Sequence, residues 1–451
     1  MNDASLAVRK LEEGCLKQSL QEFRALIEAA RDDPRRVSNW LLARQYDDSL
    51  THDEIAQELW AMGCLWPDRP RPLRRNRATP LRIGFVSSDF NCHTVGRLFH
   101  PLAKALSSLA DDQRPLLYGY HNGSYKDALT ASLAQRLALR DIYGLSLSEA
   151  ARIVQHDDLD VLVDLSGHTK GHRLALFASR LVAVQVSWLG FTDTTGLSFV
   201  DAVISDTQHV PSSLAYRFRE SLIYLPTARF LFEAPEDTPG LLDRDVRVRR
   251  RAEDETIQLC CYNNLAKISE STLVLWAKVL ERLPKAVLNL RWRSFSDEGV
   301  KSLWQSRLAS VGIDPKRVRL LGECSYPDLM QSYAAMDIAL DTYPFNGAMT
   351  SFDALWMGVP LVSRFAELPA SRQGLSILKA IDLEQMAVNN DADYVDQVCK
   401  LANDTEKRTE LKNQLRNRLR SSPLMDASAF AQHWLAAIRQ AIDLQLEATP
   451  R

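Results

Sequence analysis

The sequence predicts an α/β protein with two Rossmann-like domains facing a cleft, preceded by a small N-terminal helical cap. Three observations lead there. Short β-rich runs alternate with helical stretches from residue 81 to about 236, the alternation resumes at 256, and the segment between is rich in proline and charge without periodicity. Strand–helix alternation of this kind builds a parallel sheet with helices on both faces. Such sheets bind ligands in the crevice beyond the carboxyl ends of their strands.

Taken in order, residues 1–66 read as the helical cap. Apolar residues at helical spacing, such as Leu16, Leu20, Phe23 and Ile27, predict a helix over 4–31. Two shorter helices follow, around 36–46 and 52–63, the second opened by a Thr51/Glu54 capping-box pattern. A tetratricopeptide-type solenoid needs about three repeats of ~34 residues, and no such period is visible. Residues 67–80, with four prolines and a basic cluster, have the composition of an exposed linker. The N-terminal Rossmann-like lobe spans 81–236, with strands at 81–88, 114–121, 159–166, 183–190, 200–206 and 220–226. Residues 237–255 form the crossover. The C-terminal lobe spans 256–425, with strands at 256–262, 286–292, 317–323, 337–343 and 360–365 and helices at 269–283 and 349–358. An amphipathic helix fills most of 426–451.

Composition narrows the function. Of 451 residues, 46% are hydrophobic and 25% charged, which excludes wholesale disorder. A net charge of −2 removes the bulk electrostatic case for a nucleic-acid partner. No run approaches the ~18 apolar residues of a membrane span, and the charged start MNDASLAVRKLEEG is not a signal peptide. The seven cysteines lack CxxC spacing and are odd in number, so they read as reduced thiols of a cytoplasmic protein. Gly-x-Ser-x-Gly, Walker A and GxGxxG patterns are missing, which weakens the serine-hydrolase, NTPase and dehydrogenase readings.

Several junctions carry chemistry. In DIALDTYPFNGAMTSFDALWMGVP (337–360) a buried strand meets a turn at Asn346–Gly347 and then a helix near Thr350. Free N–H groups and the positive dipole end of such a helix suit a diphosphate. Thr350 and Ser351 add hydroxyl donors, and Asp353, one turn on, suits a ribose diol. In CCYNNLAKISESTL (260–273) Lys267 lies in a turn before a helix, placed to neutralise charge on a departing diphosphate. Asn263 and Asn264 stand beside it. In the first half, SSDFNCHTVGRL (87–98) places His93 in a loop after the opening strand, suited to substrate contact or proton transfer. DLSGHTKGHR (164–173) offers Asp164, His168, Thr169 and His172 after another strand end, without a metal-ligand pattern. WLGFTDTTGLSFVD (188–201), including Gly190 and Thr195, gives a turn where backbone can approach a sugar closely.

Together, LRIGFVSSDFNCHTVG, DVLVDLSGHTKGHR, VQVSWLGFTDTTGLSFVDAVISD, YNNLAKIS and LDTYPFNGAMTSFDALWMGVP resemble the O-GlcNAc transferase/SPINDLY-type glycosyltransferases and their bacterial relatives. The likeness runs over about residues 81–425, in the same order. It implies a GT-B fold, a nucleotide-sugar donor, no metal or other cofactor, and transfer with inversion to Ser/Thr hydroxyls of a protein acceptor. By matching motif, Lys267 corresponds to the lysine that binds the donor diphosphate and supports its departure, and His93 to a cleft-lining histidine. Asn264 takes a donor-contact position where the SPINDLY branch also has Asn. Gly347, Thr350, Ser351 and Asp353 fall on the donor-binding helix start.

The sequence also departs from that pattern. Where O-GlcNAc transferases read Asn-Gly-His-Thr-Thr, this chain reads Asn346-Gly347-Ala348-Met349-Thr350, and a base-contacting histidine aligns with Leu329. UDP-GlcNAc is the first donor expected; GDP-fucose, another hexose donor, or a scaffold with a decayed donor site are the alternatives. His93 and Asp164 both stay open as proton acceptor. With no long tetratricopeptide array in the sequence, acceptor choice falls to the cap or to a partner protein bound there, and flagellin or an adhesin is an acceptor by analogy only.

Overall fold

The computed structural model describes residues 3–29, 34–67, 69–70, 72, 80–235 and 256–447. Much of the expected 67–80 linker, with its basic cluster, and the whole 237–255 crossover lie outside the described residues. The chain packs as two compact units. One, here the N-terminal lobe, comprises Ile27–Leu42, His52–Glu233 and Pro423–Arg451; the other, the C-terminal lobe, comprises Met1–Leu26, Ala43–Thr51 and Ala234–Ser422. The N-terminal helices therefore distribute between the two units.

The N-terminal lobe holds a seven-stranded, all-parallel sheet: β1 (Arg82–Ser87), β2 (Leu116–His121), β3 (Ala138–Asp141), β4 (Val161–Asp164), β5 (Val184–Ser187), β6 (Ala202–Asp206) and β7 (Ser221–Leu225). Their order across the sheet is β3-β2-β1-β4-β5-β6-β7. β1, β4, β5 and β6 are buried almost throughout, which is why they read as near-continuous apolar runs. Helix Thr94–Ser107 lies behind β1 with Leu98, Phe99, Leu102 and Leu106 buried. The closing helix, Ala427–Glu447, packs on this lobe: Trp434 stands against Phe85 and Trp188 at ring separations of 5.6 and 5.7 Å. Helix His52–Gly63 is anchored by a buried chain in which Arg217 Nη1 meets His52 Nδ1 at 3.1 Å and His52 Nε2 meets Asp193 at 3.0 Å.

The C-terminal lobe repeats the plan with β8 (Gln258–Cys261), β9 (Val287–Arg291), β10 (Val318–Leu321), β11 (Ile338–Leu340), β12 (Leu361–Arg364) and β13 (Ala387–Val388), ordered β10-β9-β8-β11-β12-β13. In each sheet the order reverses beside the first strand, between β1 and β4 and between β8 and β11. These are the points where an open parallel sheet leaves a crevice at its carboxyl edge.

One expectation changes, and two strands were not expected. The helix expected over 4–31 is two helices, Asp3–Glu12 and Leu16–Ala29, broken at Gly14 with φ +80. A glycine in the left-handed region ends a helix at little cost, and a Cβ there would lie 2.7 Å from the Trp304 ring. β3 escapes sequence reading because ALRD is a short, half-exposed edge strand with two charges. β13 escapes because it is two residues long.

Candidate functional site

At the switch point of the C-terminal lobe, β8 ends in Cys261 and the chain turns through Asn263 and Asn264. Asn264 caps the following 3₁₀ turn, accepting from Ala266 N at 3.1 Å, and Ser269 caps helix Glu270–Arg282, accepting from Thr272 N at 3.1 Å. Lys267 is held between these two caps. Its Nζ donates to the carbonyl of Asn346 at 2.9 Å and lies 4.3 Å from the centre of the Phe345 ring. Desolvation by the surrounding protein lowers its pKa to about 8, against the opposing charge of Asp341. It therefore stays mainly an ammonium at neutral pH.

β11, next to β8, ends at Leu340 and delivers Asp341 into the same corner. The Asp341 carboxylate is buried and accepts from Thr342 N at 2.9 Å, Gly347 N at 2.8 Å and Ser363 Oγ at 2.7 Å. Burial pushes its pKa up to about 6, with these donors and Lys267 opposing. The turn is closed by Asn346, whose Nδ2 donates to Thr342 O at 2.7 Å while its Oδ1 accepts from Gly374 N at 3.1 Å. Gly347 is closely packed: a Cβ would lie 2.5 Å from Thr350 Oγ1, 2.8 Å from Ser351 Oγ and 2.9 Å from Asn263 Oδ1, so these side chains would have to shift to admit one.

Helix Met349–Trp356 then starts without a side-chain cap, because Ala348 at the cap position has no oxygen to offer. Its first amides and dipole form a positive end. Thr350 Oγ1 donates to Asn263 Oδ1, and Asn263 Nδ2 donates to Thr342 Oγ1 at 3.2 Å. The buried Ser351 Oγ has no hydrogen-bond partner. Asp353 is buried, and one of its oxygens accepts from Tyr326 Oη at 2.7 Å. Lys267, Asn264, Gly347, Thr350, Ser351 and Asp353 are thus gathered on one corner of one lobe. Sequence reading missed Asp341, Gln373 and Tyr326 here. Asp341 had a signal, being the first polar residue after an apolar strand; Gln373, which donates to Asn346 O at 3.0 Å, and Tyr326 had none.

In the N-terminal lobe His93 caps helix Thr94–Ser107. Its Nδ1 accepts from Val95 N at 3.4 Å and lies 3.6 Å from Asp89 Oδ2, and the side chain is 53% exposed. Asp164, by contrast, is fully buried at the end of β4 and accepts from Gly167 N at 2.7 Å and Ser166 N at 3.1 Å. Burial raises its pKa to about 6.

His168 is also buried. Its Nε2 donates to Thr195 O at 2.8 Å and its Nδ1 accepts from Ser38 Oγ at 2.9 Å, joining a cap helix to the loop after β5. Burial lowers its pKa to about 4. Thr195 is buried and bonded to Glu220 through both its N–H, at 2.7 Å, and its hydroxyl. Thr169 donates to Ser166 O at 2.8 Å. Gly190 packs so closely that a Cβ would lie 1.9 Å from Leu165 O. Four of the residues singled out in this lobe, Asp164, His168, Thr195 and Gly190, are thus committed to internal packing or hydrogen bonding, whereas His93 faces solvent. Among the described residues no group of three or more His, Cys, Asp or Glu side chains is placed to hold a metal ion.

Two parallel sheets of Rossmann order, the second bearing a lysine beside an uncapped helix start, place the chain in the GT-B class of glycosyltransferase folds. The chain belongs to glycosyl transferase family 41, whose pattern matches residues 70–247 and 233–434. It is 30% identical over 419 residues to the probable UDP-N-acetylglucosamine–peptide N-acetylglucosaminyltransferase SPINDLY of Solanum lycopersicum, covering 89% of this chain and 43% of that protein. The likeness to the Oryza sativa protein of the same name is 30% over 438 residues, covering 93% and 46%. The chain thus spans less than half the length of these curated relatives. Among solved structures, a mutant of the Thermobaculum terrenum O-GlcNAc transferase superposes with a TM-score of 0.91 at 29% identity, covering 99% of this chain and 85% of that one.

Proposed function

We propose that the chain is an inverting, metal-independent glycosyltransferase that moves a sugar from a nucleotide diphosphate donor to Ser/Thr hydroxyls of a protein, with UDP-GlcNAc the first donor. The observation that carries this reading is the convergence of the Lys267 ammonium and the uncapped start of helix Met349–Trp356 on the Gly347 turn. Breaking the sugar C1–O bond leaves negative charge on the diphosphate, and fixed positive groups aimed at that charge lower the barrier. Lys267 and the helix amides supply them, with Thr350 and Ser351 as hydroxyl donors and Asp353 toward the ribose. The acceptor hydroxyl attacks C1 from the opposite face. Of the two proton acceptors, we assign His93, since its ring is half exposed and within reach of a substrate hydroxyl, whereas Asp164 is fully buried with its oxygens on two amides.

A second donor reading, GDP-fucose or another hexose nucleotide, is favoured by Leu329, Ala348 and Met349, which stand where histidine and threonine contacts to a uridine donor are expected. A cytoplasmic setting accords with seven unpaired cysteines, and no helix among the described residues is long and apolar enough to cross a membrane. Acceptor choice through the N-terminal helices or a partner bound to them, with flagellin or an adhesin as first trial acceptors, belongs to the same proposal. The test is a panel of nucleotide sugars, read by donor hydrolysis and by intact mass of co-expressed acceptors. Release from UDP-GlcNAc that is lost in Lys267→Met supports the reading. Turnover of no donor, with no thermal shift from UDP or GDP, refutes it in favour of a scaffold.

A further inference from the structure

Three large apolar side chains left in water fall within residues 125–147: Tyr125 at 64%, Tyr143 at 57% and Leu147 at 42% exposure. All stand on the carboxyl side of the N-terminal lobe's sheet. Tyr125 is in the loop after β2, Tyr143 in the loop after β3, and Leu147 opens the helix that follows. β2 lies beside β1, whose loop carries His93, and β3 lies beside β2. At about 4.8 Å between strands, the patch begins one strand from the strand that carries the His93 loop and ends two strands away.

The loops that bear these rings are fixed. Lys126 pairs with Asp141, which also accepts from Tyr143 N at 3.0 Å, so both tyrosines flank one ion pair. The Tyr125 carbonyl bonds His121 Nε2 at 3.2 Å. Asp127 caps helix Ala128–Ala134 and accepts from Cys92 N at 2.7 Å, tying the His93 loop directly to the Tyr125 loop. Backbone held firm beneath exposed rings makes a preorganised contact surface, since little freedom is lost when a partner docks. Lys126 and Asp141, both half exposed, pair with each other, so they add no net charge between the rings. Apolar rings around one compensated ion pair suit the backbone and side chains of a polypeptide better than a diphosphate, since the one lysine between them is already paired.

We propose that Tyr125, Tyr143 and Leu147 form the platform on which the acceptor polypeptide lies as it offers its hydroxyl to the His93 loop. The assignment rests on the glycosyltransferase reading above. The experiment compares the full chain with the Tyr125→Ala/Tyr143→Ala and Tyr125→Phe/Tyr143→Phe pairs, using a library of short Ser/Thr peptides and, separately, donor hydrolysis without acceptor. In the Ala pair KM for peptide rises about tenfold, as expected for aromatic anchors, while acceptor-free hydrolysis keeps its wild-type rate and donor KM. The Phe pair keeps the wild-type peptide KM, because the rings make the contact. An unchanged peptide KM in the Ala pair, a raised donor KM, or a Phe pair as impaired as the Ala pair overturns the platform. A wild-type chain that hydrolyses no nucleotide sugar overturns the enzymatic reading itself, so the two failures are told apart.

Discussion

Lys267→Met should make the protein more stable and nearly inactive at once. Methionine keeps the length of the side chain and removes its charge. Burial lowers the lysine pKa from 10.5 to about 8, and at ~1.4 kcal/mol per unit holding that ammonium costs the fold at most about 3 kcal/mol at pH 7. The sign follows from the direction of the shift. Between about pH 8 and 10.5 the unfolded chain binds the proton and the folded chain does not, so wild-type stability climbs across that window. Below pH 8 the whole cost is present. Methionine removes it but gives up the bond to Asn346 O, worth about 1–2 kcal/mol; that carbonyl still receives Gln373 Nε2. The net expected gain is about 1–2 kcal/mol at pH 7, or roughly 3–6 °C in Tm for a lobe of this size, shrinking toward pH 10. Donor turnover should fall about 10²–10³-fold, the scale of one lost charge-stabilising group. Thermal unfolding at pH 7 and 9.5, beside donor hydrolysis, reads both. A variant less stable than wild type at pH 7, or one within about threefold of its turnover, would refute the reasoning.

Other outcomes follow from the same geometry. Because only protonated Lys267 serves the diphosphate, kcat/KM for donor should fall above about pH 8, and the limb in kcat should lie higher because bound diphosphate favours the ammonium; a titration in stopped buffers checks the order. Gly347→Ala drives a methyl to 2.5 Å from Thr350 Oγ1, so donor KM should rise at least about tenfold with a stability loss of about 1–3 kcal/mol, measured by calorimetric nucleotide binding and urea unfolding. His168, whose pKa falls from 6.5 to about 4 on burial, binds its proton more readily in the unfolded chain, so stability should decline as pH falls from 6.5 toward 4. His168→Gln should flatten that acid limb in thermal scans. Trp434→Ala empties a fully buried indole site against Phe85 and Trp188 and should cost about 3–5 kcal/mol, seen first as lost protection of β1 and β5 in hydrogen exchange.

The fold was legible wherever burial is two-sided. β1, β4, β8 and β11 are covered on both faces, so each is a run of apolar residues that stands out without alignment. β3 was not legible, because an edge strand with Arg140 and Asp141 carries no such run. The first helix splits where Gly14 takes a left-handed backbone, and Trp304 and Leu265 lie where a side chain there would go, contacts that no local pattern records. At the site, the Gly347 turn and Lys267 were readable because strand–turn–helix junctions have a local signature. The roles of His168 and Thr195 were not: Ser38 and Glu220 stand 130 and 25 residues away from them in sequence. Both side chains tie loops together through these bonds.

That contrast separates the two sheet crevices chemically. At the β1/β4 edge, Asp164 is buried and bonded to its own turn, while His93 in the loop after β1 is half exposed. At the β8/β11 edge the opposite holds. Lys267 and Asp341 are both displaced toward their neutral forms by burial, each partly restored by the other's charge. Asp341 has already spent its oxygens on Thr342 N, Gly347 N and Ser363 Oγ, and Lys267 bonds only a neutral carbonyl. The ammonium is therefore under-compensated in the free protein and gains most from a second anion arriving at Gly347. Diphosphate binding should thus raise the Lys267 pKa and take up protons above pH 8. Calorimetry of UDP binding at pH 8.5 in buffers of different ionisation enthalpy measures that uptake directly, and a binding enthalpy independent of buffer would mean that the lysine does not meet the phosphates.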